Sequence, residues 1–191
     1  IGSIPTKQLI LPIDSQQVIK TQTVDSANAH RIDSMMVIKL RRGMSKADLM
    51  VLEMINTNKW ERPIYFAVTV GENYYPAVNE YFQLEGLAYR LVPIKTEENS
   101  DRVNTEVMYD NMMNKFRWGG IEKEGVYLDE TVLRMCRTQR LMFCHIIDAL
   151  LKEGKEEKAR KALNRCLEVI PFYNVPADYS SIMLATAFYK L

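Results

Sequence analysis

The chain has 191 residues, 47% of them hydrophobic and 26% charged, and a net charge of +1. That length supports one or two domains with a sizeable buried core, and the near-neutral balance excludes the clustered basic excess of a nucleic-acid-binding surface. No apolar run approaches the ~20 residues of a membrane-spanning helix, and Ile1 to Thr6 has neither the basic start nor the apolar core of a signal peptide.

Leu9 to Ile13 is apolar and interrupted by Pro12, which suits an edge strand. Asp14 to Asp33 is rich in Gln, Thr, Ser and Asp and reads as loop, with a short strand near Val18. A strand follows at Met35 to Leu40, and Gly43 turns the chain. Ser45 predicts an N-cap, reinforced by Asp48 in the first turn. The helix Lys46 to Thr57 carries Leu49, Leu52 and Ile55 along one side, and Met50, Val51 and Met54 widen that stripe. So wide a stripe predicts contact on more than one side. Pro63 opens a strand, RPIYFAVTV, apolar on both faces as a doubly covered central strand is. Strand, helix and strand at this spacing predict a βαβ unit. Gly71 to Pro76 is a loop, Ala77 to Phe82 a short helix or turn, and Gly86 to Ile94 a third strand.

Lys95 to Arg102 is polar and marks the boundary between a sheet module, residues 1–100, and a helical module, residues 101–191. Beyond it the apolar period changes from two to 3.6. Asn104 or Thr105 caps a helix bearing Val107, Met108, Met112 and Phe116, ended by Gly119 and Gly120. Asp129 caps a long helix, Glu130 to Lys152, whose apolar side holds Val132, Met135, Cys136, Phe143, Ile146, Ile147 and Leu150. Gly154 breaks it, and an amphipathic helix runs from Lys155 to Ile170 and stops at Pro171. Gly154, Ala159, Leu163, Cys166 and Pro171 fall at tetratricopeptide offsets, although Ile147 occupies a position usually given to a small residue. Ser181 to Leu191 starts a further first helix without a second, so the chain reads as a piece of something larger. The fold class expected is therefore α+β, a small βαβ-containing sheet followed by an all-α, tetratricopeptide-like hairpin module.

Chemistry is sparse. Cys136, Cys144 and Cys166 sit among apolar neighbours on helices and read as small hydrophobes. Cys144, His145 and Asp148 suggest a nucleophilic set, but Cys144 and His145 are neighbours on a helix and point about 100° apart. No phosphate loop, paired Cys-x-x-Cys or His-x-x-x-His occurs, so neither cofactor nor metal is expected. Aromatic residues near loops are the candidate binding groups: Trp60 with its neighbour Arg62, then Tyr74, Tyr75, Tyr81 and Trp118. Each also reads as an anchor where a loop packs on the sheet.

Four strings carry more than their periodicity: TNKWERPIYFAVTV (Thr57 to Val70), NEYFQLEGLAYRLVPIKT (Asn79 to Thr96), VMYDNMMNKFRWGG (Val107 to Gly120) and GVYLDETVLRMC (Gly125 to Cys136). They resemble the C-terminal region of a Bacteroidetes family of multi-spanning membrane proteins of unassigned function, related to protein O-mannosyltransferases. The resemblance implies an inner-membrane parent of the lipid-phosphate-sugar-dependent glycosyltransferase type, with its catalytic acid in the multi-spanning portion. This chain is then expected to be a soluble, periplasmic, non-catalytic tail. Its partners are expected to be a protein or glycan acceptor, a partner subunit and the parent's own membrane-spanning portion. A free-standing enzyme with a site near Gly71 to Tyr75, or a cytosolic tetratricopeptide-like scaffold, are the alternatives. Asp25-Ser26-Ala27 and Asp33-Ser34-Met35 also resemble Bacteroidetes O-glycosylation acceptor sites.

Overall fold

A computed structural model describes residues 6–41, 43–71, 78–96 and 102–191. The chain divides into two compact units, one of residues 1–84 and 88–102, the other of residues 85–87 and 103–191. The first holds small antiparallel sheets and the second is helical, so the architecture is α+β.

In the first unit, β1 (Gln8–Pro12) pairs antiparallel with β2 (Met35–Lys39), Ile10 opposite Val37. The bonds Ile13 N–H to Ser34 O and Leu40 N–H to Lys7 O set the ladder so that odd residues of β1 bond inward. Pro12 therefore sits at an outward position, where its missing N–H costs the ladder nothing and blunts the edge. Met36 and Ile38 alternate into the core.

Between these strands the expected strand near Val18 is a helix, α1 (Ser15–Lys20). The Asp14 carboxylate accepts from the Gln16 and Gln17 amides, an N-cap that outweighs the β-propensity of one buried valine. A 3-10 turn, Ser26–Arg31, follows.

The helix α2 (Lys46–Asn58) starts on a capping box in which Ser45 and Asp48 bond reciprocally. It buries Leu52 and Ile55 on one side only. Met50 and Met54 are exposed, so the wide stripe is not covered on a second side.

The βαβ expectation is overturned. β3 (Tyr65–Ala67) is an edge strand of a second antiparallel sheet of order β3-β5-β4, with β4 at Phe82–Leu84 and β5 at Ala88–Leu91. The outward Val37 N–H of β2 donates to the Tyr81 hydroxyl at 3.0 Å, which caps that edge against a parallel partner. A 3-10 turn, Asn79–Tyr81, leads into β4, so the segment expected to end as a turn supplies a strand. Phe82 stacks on Tyr89 at 5.4 Å and tilts against Phe66 at 4.8 Å across the sheet.

The second unit opens with α3 (Thr105–Asp110), capped by Asn104 and extended by a π turn, Asn111–Lys115. The helical run ends before Phe116, short of the glycines expected to stop it. Asp129 caps α4 (Glu130–Lys152) through the Val132 amide. The buried face of α4 begins at Cys136; Val132 and Met135 are partly exposed.

Gly154, at φ +71, closes α4 with paired bonds, Lys155 N–H to Leu150 O and Gly154 N–H to Leu151 O. The chain then reverses into α5 (Glu156–Val169), which buries Ala159, Ala162, Leu163 and Cys166. Small residues on that seam let two helices approach closely. The last helix, α6 (Tyr179–Lys190), starts on a capping box between Asp178 and Ser181 and buries only Ser180 and Leu184.

Candidate functional site

The candidate site of the first unit grows from the end of α2. Lys59 and Trp60 follow it with φ of 44° and 62°, two consecutive non-glycine residues in the left-handed region. That conformation costs roughly 1–2 kcal/mol per residue. It is held by the Glu61 N–H bonding Asn58 O at 2.8 Å and by the Asn58 side chain bonding Arg62 O at 2.7 Å.

The reversal sets the half-buried Trp60 indole against both apolar clusters of the unit, one containing Leu11, Ile55 and Tyr81, the other Val18 and Val92. A cleft of about 520 Å³ opens beside it. Leu11, Pro12, Ile13, Ile55 and Trp60 form its apolar lining. Asp14, Gln17, Asn56, Lys59 and Glu61 supply polar groups. Asp14 commits one carboxylate oxygen to the α1 cap and keeps the other.

Trp60 lines the cleft and Arg62 is exposed beyond it. Tyr74 and Tyr75 lie outside the described residues. Tyr81 is 3% exposed, a core residue. Trp118, in the second unit, is buried and stacks on Phe143 at 5.3 Å. It borders a smaller cleft of about 310 Å³ with Arg117, Gly119, Gly120, Arg165 and Glu168. Asp14, Gln17 and Asn56 escaped sequence reasoning because one caps a helix and the others lie on surfaces that only tertiary packing brings beside Trp60.

The three thiols and the one histidine of the second unit lie on its helices. Burial pushes the Cys144 and Cys166 thiols up to about 12 and also raises Cys136, so none ionises near neutral pH. Cys144 instead donates to Ser180 O. Burial lowers the His145 pKa, partly offset by Asp148.

Arg140, fully buried, donates to the carbonyls of Ile170, Val175 and Pro176 and reaches Asp178 at 3.4 Å. Its guanidinium also lies 4.7 Å from the Phe172 ring centre. The segment between α5 and α6 is thus fastened to α4. What the unit leaves in solvent is aromatic: Tyr127, Tyr173, Tyr179, Phe188 and Tyr189, with Ile182 among them.

The chain is thus an α+β protein of two units, with a cleft beside Trp60 in one and exposed aromatic side chains on the other. Among the described residues no helix is long and apolar enough to cross a membrane. The chain belongs to the family described as TMEM260-associated domain 2, whose model matches residues 1–107. TMEM260 is a membrane protein related to protein O-mannosyltransferases, which places the domain in a membrane glycosyltransferase-like context. The match contains the strings Thr57 to Val70 and Asn79 to Thr96 entire and ends at the first residue of the third. No curated protein and no solved structure matches the chain.

Proposed function

We propose that this chain is a non-catalytic, periplasmic C-terminal domain of a Bacteroidetes polytopic glycosyltransferase-like protein, and that it docks the acceptor protein. The carrying observation is the exposed aromatic set of the helical unit. On α6 the exposed Tyr179, Ile182 and Tyr189, 75%, 64% and 89% accessible, fall within one sector of about 80° of the helix. Contiguous exposed apolar surface marks interaction sites, and aromatic residues dominate the cores of protein interfaces. The Gly154 reversal and the small-residue seam of α5 support a tetratricopeptide-like hairpin, a unit that binds extended partners. Ser26 and Ser34 are exposed and open to periplasmic O-glycosylation, which an intact mass from the native host tests.

Site-specific photo-crosslinking tests the docking role. A photoreactive residue replaces Ile182 or Tyr189 in the full-length parent, expressed in its host. The expected adducts are extracytoplasmic proteins carrying the parent's sugar. A non-glycosylated partner subunit as the sole adduct would assign the face to assembly instead. Adducts confined to cytoplasmic proteins would overturn the reading.

A further inference from the structure

We propose that the Trp60 cleft binds a neutral pyranose sugar, its C–H face on the indole and its hydroxyls bonded by Gln17, Asn56 and the free oxygen of Asp14. This goes beyond the docking role of the helical unit and uses a different unit of the chain.

Three observations converge on it. The first is shape and lining. A cleft of about 520 Å³ lies within the range of small-molecule pockets, and its lining is half apolar and half polar. A pyranose has the same division, a flat C–H face and an edge of hydroxyls. An apolar peptide side chain would leave Asp14, Gln17, Asn56 and Glu61 desolvated without partners, which costs free energy at each group.

The second is the backbone. The consecutive left-handed Lys59 and Trp60 hold the indole at the cleft at an energetic cost, and such outliers cluster at ligand sites. The polar residues lining the cleft include acceptors, Asp14 and Glu61, a donor, Lys59, and the side-chain amides of Gln17 and Asn56, which do both. A hydroxyl both donates and accepts and so matches each kind of group.

The third is charge. Asp14 and Glu61 outnumber Lys59 among the lining residues. That balance disfavours a phosphorylated sugar or another anion and selects a neutral ring.

Fluorescence titration tests the proposal. The chain has two tryptophans, and Trp118 is buried on Phe143, so a Trp118→Phe variant leaves Trp60 as sole reporter. Its thermal melt verifies the fold. Neutral methyl hexopyranosides and their short oligomers are expected to shift the Trp60 emission saturably. Hexose phosphates are expected to produce no saturable shift. Gln17→Ala combined with Asn56→Ala changes only partly or fully exposed side chains and is expected to weaken binding at least ~10-fold. Trp60→Phe, read by calorimetry, is expected to weaken it while keeping the core contact. The proposal is overturned by no saturable shift with any neutral saccharide, by equal affinity for hexose phosphates, or by unchanged affinity in the Gln17/Asn56 variant. It is also overturned if only an extended apolar peptide binds, which would make the cleft a peptide groove. None of these outcomes bears on cross-links from α6, so the two readings fail separately.

Discussion

Arg140 donates to the Val175 carbonyl at 2.7 Å from a side chain with no solvent exposure. That bond joins the middle of α4 to the segment preceding α6, and through it sets where the aromatic helix begins. Burial raises the Asp178 pKa, but the Ser180 hydroxyl and the Arg140 charge outweigh it and hold the carboxyl below its ordinary value. Arg140→Ala leaves the carbonyls of Ile170 and Val175 unpaired in the interior and takes the donor from that of Pro176. A loss of about 3–5 kcal/mol is expected in urea melts. A cost under about 1 kcal/mol would show that water replaces the guanidinium.

Gly86 lies under the Phe116 ring at φ +133, where an added Cβ would meet Cζ at 2.8 Å. The neighbouring Glu85 carbonyl accepts from the Asn111 side chain at 2.7 Å, so the segment cannot easily shift. Gly86→Ala is expected to cost about 1–3 kcal/mol through backbone strain and overpacking. In a double-mutant cycle Phe116→Leu should relieve the steric share and leave the backbone share.

The three cysteines report the integrity of the helical unit. With thiols buried and two of them near 12, native protein at pH 8 should resist alkylation and all three should react in denaturant. Rapid labelling of the native chain, followed by mapping, would locate an opening that the packing does not show.

Glu106 links α3 to α5 by bonding Lys155 at 2.7 Å and Lys158 at 2.8 Å. Hydrogen bonds from Lys155, then Lys158, lower its pKa from 4.5 to about 2. A depressed carboxyl pKa contributes stability that is present above 4.5 and is lost as pH falls towards 2. The carboxylate is well exposed, so the contribution is small, about 0.2–1 kcal/mol. Thermal melts of wild type and Glu106→Gln should differ at pH 7 and converge near pH 2. A constant gap across that window would remove charge from the explanation.

The longer helices α2, α4 and α5 were legible in the sequence because local chemistry sets their ends, whereas the six-residue α1 was missed although Asp14 caps it. Asp129 and Gly154 bracket α4, and Ser45 starts α2, because caps and left-handed glycines act within a few residues. Strand partners were not legible. The alternation in RPIYFAVTV shows two apolar faces, but it carries no information about which strand lies alongside. The antiparallel pairing sets Tyr65 opposite Arg90, and Tyr81 reaches Val37, 44 residues away in sequence. The pattern of aromatic residues near loops selected Trp60, which lines a cleft, and equally Tyr81 and Trp118, whose side chains are buried. Only tertiary packing separates a half-buried aromatic side chain at a cleft from one that fills a core.

Kinetics of the two half-reactions of the full-length parent in native membrane vesicles, with and without Tyr179→Ala and Tyr189→Ala on α6, test the docking role. Hydrolysis of the lipid-linked sugar donor in the absence of acceptor is expected to be unchanged. The KM for acceptor protein should rise, with kcat for transfer preserved. Loss of donor hydrolysis in the folded variant, or a fall in kcat at unchanged KM, would assign this surface to catalysis and overturn the docking role.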